Sequence, residues 1–324
     1  MAISTIGTAS ISGLGYGFKN RIINGAMQVS QRATSGTSGS TVPTTTATYP
    51  ALDRWYAYAT GATVTVSQGT GTGANKNTLS VAGAASVTAV GVGQRIEQLN
   101  SYDLAGSTAT LSVYISNSLL TTVTWTASYA TSADTWSSKT QIATGTFTVS
   151  ATRTQYTTNI TIPAAATTGI EILFTVGAQI SGTWVIDSVQ LEAGTVATSF
   201  DYRPYGTELA LCQRYLPAWA ATAINDTIPA WGSGATTTAA SVMYKFPVTT
   251  RVPPTGVTIS AGSDFKLSRP STGLVTCTSA SFGNGSVEAG TVQFNTASGL
   301  TADQPYGVLA ATASAKILWT GCEL

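Results

Sequence analysis

Histidine is absent from this chain. Its absence removes the usual general base of nucleophilic triads and the commonest transition-metal ligand. Charge is scarce as well, at 9% of residues against about 25% in an ordinary domain. The 15 basic and 14 acidic residues nearly balance, and no Lys/Arg cluster occurs, so a surface that tracks nucleic-acid phosphates is not expected. No apolar run reaches the roughly 18 residues of a membrane-spanning helix, which argues against membrane insertion. The opening MAISTIGTASISG lacks the basic start and apolar stretch of a signal peptide, so synthesis as a soluble cytoplasmic chain is expected.

Cysteine is limited to Cys212, Cys277 and Cys322, without C-x-x-C spacing. Three such residues read as small, reduced, apolar side chains rather than a disulfide framework or zinc site. A single Cys277–Cys322 bridge is the open alternative. The glycines at 13, 15 and 17 lack the spacing and following helix of a phosphate loop. One hydrolytic route is left, a carboxylate pair of the glycosidase type. No spacing among the 14 acids singles one out, so no catalytic residue and no enzyme is expected.

What replaces charge is threonine, 57 residues of it, with serine, alanine and 32 glycines. Threonine is β-branched, favours strands, and keeps a solvent-facing strand wet without charge. Seven Trp, 13 Tyr and 8 Phe argue for a folded chain, since so many rings need burial or a partner. Short runs alternate apolar and polar residues, as in 63–66 and 109–115, which puts one face on a core and the other in water. Many such strands between turn residues predict an all-β chain built as sandwiches, jelly rolls or barrels. We read two β-sandwich (jelly-roll-like) domains joined by a short helix. The boundaries are an N-terminal arm at 1–19, a first domain at 20–204, a helix at 205–217 capped by Thr207 and stopped by Pro217, and a second domain at 218–324.

Candidate ligand contacts follow from sugar chemistry, which needs exposed aromatic faces beside polar groups. Trp125, Tyr129 and Trp136 fall in the polar stretch 124–140, read as a loop, and Trp219 and Trp231 in the loop-like 219–234. The competing reading for all five is packing at the sandwich edge. No cofactor is expected beyond a structural Ca²⁺, for which Asp53, Asp187 and Glu192 are candidate ligands. The alternative there has Asp53 and Asp187 bonding turn amides or arginines. Arg54 and Trp55 read as residues where a strand enters the core. Glu192, Arg203, Glu208 and Arg214 read as ion-pairing around the helix.

Two stretches carry a family resemblance. The run NRIINGAMQVSQR (20–32) followed by LDRW (52–55) resembles the opening of many phage and prophage tail proteins. The longer VQLEAGTVATSF (189–200) with YRPYGTELALCQRY (202–215) is similar to a hallmark of the same proteins, and RVPPT (251–255) to a segment that follows it. The resemblance implies a first domain like a carbohydrate-binding-module jelly roll, a helix, then a smaller β-domain. It implies a virion subunit of tail-fibre or receptor-binding type, assembled in the host cytoplasm, commonly homotrimeric, and no catalytic residue. A low-charge surface that a trimer would bury points the same way. The N-terminal arm is the expected link to other tail proteins, and a host surface polysaccharide the expected ligand. A purely architectural tail or capsid subunit is the alternative, with a glycan depolymerase behind it.

Overall fold

The computed structural model describes residues 18–33, 35–37, 47–269 and 273–324. Most of the N-terminal arm therefore lies outside the described residues. The chain is all-β, with one α-helix among the described residues, and divides into two compact units at Tyr205/Gly206.

The first unit holds β1 (Ser35–Thr37), β2 (Tyr56–Thr60), β3 (Thr65–Thr70), β4 (Asn77–Ala82), β5 (Ala89–Ile96), β6 (Thr108–Asn117), β7 (Thr122–Ser132), β8 (Thr135–Thr148), β9 (Thr154–Thr161), β10 (Ile170–Val176) and β11 (Thr183–Ala193). They form two antiparallel sheets, ordered β1-β3-β4-β11-β6-β9 and β2-β5-β10-β7-β8. Alternate residues of each point into one shared core. Val90, Val92, Ile170, Ile172 and Phe174 come from one sheet, and Leu111, Val113, Ile115, Ile186 and Leu191 from the other. The result is a β-sandwich, as the period-two pattern predicts.

The outer face of the five-stranded sheet is covered at β2, β5 and β10, while β8 is largely exposed. The rings of Tyr56 and Tyr58 lie over Gly91 and Gly93, where an added Cβ would sit 2.2 Å and 2.4 Å from ring or hydroxyl atoms. Beside them Arg95 and Glu171, each 1% exposed, pair at 3.1 Å, and Lys139 also reaches Glu171. Burial, with Glu171 adding to it, holds the Tyr56 phenol well above its ordinary pKa. Buried Arg–carboxylate pairs of this kind fix geometry more than they stabilise.

The second unit begins with α1 (Tyr205–Gln213), where Glu208 and Cys212 are buried. Thr207 lies inside this helix rather than capping it, and the helix ends four residues before Pro217. The strands that follow are β12 (Ala218–Ala220), β13 (Thr227–Gly234), β14 (Ala239–Lys245), β15 (Gly256–Ile259), β16 (Phe265–Arg269), β17 (Gly273–Gly285), β18 (Ala289–Thr296), β19 (Pro305–Ala310) and β20 (Lys316–Thr320). Six of them close into a barrel, β13-β14-β18-β17-β16-β19, and β12-β20-β15 form a small sheet beside it. The two share a core: Trp319 of β20 stacks on Tyr244 of β14 with centroids 4.4 Å apart. Closure replaces the open second sandwich of the sequence reading. It uses the same alternation and leaves the six strands no unpaired edge.

Candidate functional site

The exposed-loop reading of 124–140 is corrected by the structure. The segment lies in the β7–β8 hairpin, whose turn at Ala133–Asp134 places Asp134 at φ +52°. Val123, Trp125 and Ala127 alternate inward, and Trp125 is 6% exposed. Trp136 is 4% exposed and lies under the Arg95 guanidinium, 5.3 Å from carbon to ring centroid. Tyr129 is half-buried against the same core. The two tryptophans are therefore core residues, and Tyr129 is partly withdrawn from solvent. In the second unit 219–234 is likewise strand at both ends, β12 and β13. Trp219 packs half-buried on the barrel core. Trp231 stays 63% exposed, opposite Met243 and with its ring over Gly307.

The candidate metal ligands are each engaged by protein groups. Asp53 accepts from the Gln31 amide nitrogens at 3.0 Å and 2.6 Å and pairs with Arg32 at 3.6 Å. Asp187 accepts two bonds from Arg153, and Glu192 accepts from Gln190 and Thr198. Among the described residues no three His, Cys, Asp or Glu side chains come together as a cation site. Of the junction residues, Arg54 (φ +70°) donates to the Arg95 carbonyl at 2.6 Å, and the Trp55 indole donates to the Asn24 carbonyl at 3.0 Å. Arg203 donates to the carbonyls of Asn20 and Ile22. Arg214 reaches the Thr249 carbonyl at 3.5 Å, and Glu208 is buried on α1. Glu192 is thus spent on Gln190 and Thr198.

Glu192 and Gln190 instead build a pocket. They stand on β11, which is bulged between Asp187 and Gln190 with Ser188 in the left-handed region at φ +48°. Such a bulge re-aims side chains on the outer face of a sheet. Glu192 Oε1 accepts from the Gln190 amide and the Thr198 backbone N–H, both at 2.8 Å, and Oε2 from the Thr198 hydroxyl at 2.6 Å. Gln190 Oε1 accepts the Asp201 N–H at 2.8 Å. These bonds pin residues 198–201 over the sheet and bring Phe200 and Tyr202 to its outer face, their rings edge to face at 4.7 Å.

The space left beneath is a pocket of about 480 Å³. Its floor is Ser112 and Tyr114 of β6, with Gln155 of β9 directly opposite Tyr114. The 72–75 turn forms another wall, and Ser188, Arg153 and residues 197–202 complete it. Arg153 lies 3.7 Å over the Tyr114 ring. Its Nε and Nη2 donate to Asp187 at 2.8 Å and 2.5 Å. Those bonds raise the Arg153 pKa above its usual value. Asp187 also accepts from the Ser188 hydroxyl at 2.9 Å and the buried Asn75 amide at 3.3 Å. Tyr202 remains 44% exposed. Its phenol is raised by burial, a shift opposed by a hydrogen bond with Ser188. Tyr202, Ala74 and Asn75 also line a second depression of about 330 Å³ that reaches Lys76 and Tyr205.

The arrangement offers aromatic surface beside amides, hydroxyls and one guanidinium, with no carboxylate among the described lining residues. Sequence reasoning missed Tyr114, Arg153, Phe200 and Tyr202. They come from separate segments, and only the spacing of Gln190, Glu192 and Thr198 within one motif hinted that a loop folds back there.

No family model and no curated protein sequence matches the chain. Solved structures similar to it include a family 4 carbohydrate-binding module, 14% identical over 53% of this chain and 98% of that one, TM-score 0.36. Another is the enzymatically active domain of bacteriophage CBA120 tailspike protein 4, 18% identical over 54% of this chain and 22% of that one, TM-score 0.37. A third is the xylan-binding CBM22-2 domain of Paenibacillus barcinonensis Xyn10C, 20% identical over 44% of this chain and 92% of that one, TM-score 0.30.

Proposed function

We propose that the first unit binds a cell-surface polysaccharide in the pocket over its six-stranded sheet and does not cleave it. The observation that carries this reading is the pocket itself. Phe200 and Tyr202 supply the apolar surface that sugar C–H groups need, and Arg153, Gln155 and Ser112 supply polar groups for hydroxyls. Glycoside hydrolysis uses two carboxyl groups flanking the scissile bond. The lining contains none, and the nearest acid in the network, Asp187, is occupied by Arg153, Ser188 and Asn75.

Around that site we place the chain as a bacteriophage virion subunit of tail-fibre or tail-tip type. The support is the resemblance of 20–32, 52–55 and 189–215 to phage tail proteins. The same resemblance underlies the proposals that the protein is a homotrimer and that residues 1–19 join it to other tail proteins. The test is binding of the purified protein to a glycan array, with Tyr202→Ala beside the parent. Loss of one ring face removes about 1.4 kcal/mol, so affinity for each positive glycan should fall about tenfold. Undiminished binding by the variant rejects the pocket as the site. Binding to no glycan by the parent favours the purely architectural alternative.

A further inference from the structure

We propose that this pocket takes an uncharged sugar residue, and that Asp187 sets the preference by cancelling the charge of Arg153. The inference rests on the glycan-binding reading above and names the ligand class within it.

Among the described residues, Arg153 is the only charged side chain lining the pocket. Its Nε–Nη2 edge is closed by the two Asp187 oxygens, and Asp187 is itself 1% exposed. The opposite nitrogen, Nη1, makes no hydrogen bond among the described residues, and the Tyr114 ring fixes the plane from which it donates. The guanidinium is therefore a directional donor whose charge is matched directly behind it. The other nearby cation, Lys76, donates to the Gly73 carbonyl at 2.9 Å within its own turn and does not line this pocket.

A hydroxyl, ring oxygen or amide carbonyl can accept from Nη1 without electrostatic opposition. A carboxylate placed there would share one guanidinium with Asp187 in a site partly shielded from water. Repulsion between the two acids would then offset roughly half of its attraction to Arg153. The remaining lining groups, Gln155, Ser112, Ser188 and Asn75, are uncharged. Gln155 accepts the Tyr114 hydroxyl at 3.4 Å through its amide oxygen.

The experiment titrates the full chain with two matched panels, neutral hexose and N-acetylhexosamine oligosaccharides and their uronate-containing counterparts, at low and high NaCl. The parent should bind members of the neutral panel with affinities that change less than twofold with salt. Asp187→Asn leaves Arg153 uncancelled and should shift the uronate-to-neutral affinity ratio by about tenfold or more. Circular dichroism reports whether that variant folds. If it does not, the salt series on the parent decides alone. A parent that prefers uronates, with affinity falling steeply in salt, overturns the proposal, as does a folded Asp187→Asn whose ratio is unchanged. Tyr202→Ala separates the two readings: binding that survives this change removes the glycan from the pocket altogether, whichever panel it came from.

Discussion

Replacing Glu192 by alanine should loosen the whole wall of the pocket while leaving the sandwich core intact. Glu192 is 3% exposed and accepts three hydrogen bonds, from the Gln190 amide, the Thr198 N–H and the Thr198 hydroxyl. Bonds to a charged acceptor contribute about 1.5–3 kcal/mol each. Thr198 is exposed, so water can replace part of what it loses. The Gln190 amide is buried and cannot recover as fully. The net cost is about 2–4 kcal/mol. For a unit of this size that lowers the midpoint of its thermal transition by roughly 5–12 °C. Glu192→Gln keeps one acceptor oxygen and should lose about half as much. Differential scanning calorimetry measures both variants, and the glycan array should show Glu192→Ala as weak a binder as Tyr202→Ala, because residues 198–202 lose their anchor. A midpoint within 1 °C of the parent would refute the anchoring role. A lower midpoint with unchanged glycan affinity would separate the anchor from the site.

Other expectations bear on the corrections and on chemistry away from the pocket. Trp136→Ala should cost about 3–5 kcal/mol in urea denaturation, as a buried ring does, and not merely weaken a ligand; a fully stable variant would restore the surface reading. Chelation with EDTA should leave the melting midpoint unchanged, because Asp53, Asp187 and Glu192 are occupied by Arg32, Arg153 and Thr198; a fall of several degrees would reinstate a structural cation. Burial pushes the thiols of Cys277 and Cys322 up to about 12 and about 11. Thiols raised in this way contribute stability that is fully present below the unfolded pKa of about 8.5 and is lost as pH rises through the folded values. The second unit should therefore weaken in calorimetry above pH 9. All three thiols should be inert to a thiol reagent at pH 8 until denaturant is added, and rapid labelling of the native chain would contradict their burial.

The sequence reading recovered the strands because alternation is a local signal. Leu111, Val113 and Ile115 face one way whatever the rest of the chain does. It failed where one residue's surroundings are decided across the sheet. Trp136 sits among Asp134, Ser137 and Ser138 and looks exposed, yet Arg95, 41 residues earlier, covers its ring. Barrel closure was equally invisible, since period two does not say whether the last strand meets the first. The pocket was legible only in its scaffold. The motif holding Gln190, Glu192 and Thr198 drew attention as a hallmark, and Asp187 and Glu192 were noticed as acids. Their actual work is to orient Arg153 and to pin a loop, and it depends on the β11 bulge and on a strand pairing that brings Gln155 beside Tyr114. No spacing along the chain encodes either.

The central claim is that the pocket over the six-stranded sheet is where a glycan binds. Chemical-shift perturbation on the isotope-labelled full chain, titrated with a neutral oligosaccharide that is positive on the array, tests it most directly. The account predicts shifts concentrated at Asn75, Tyr114, Arg153, Gln155 and Tyr202, fading towards the five-stranded sheet. Shifts centred instead on Trp231 and Met243 of the barrel would contradict it.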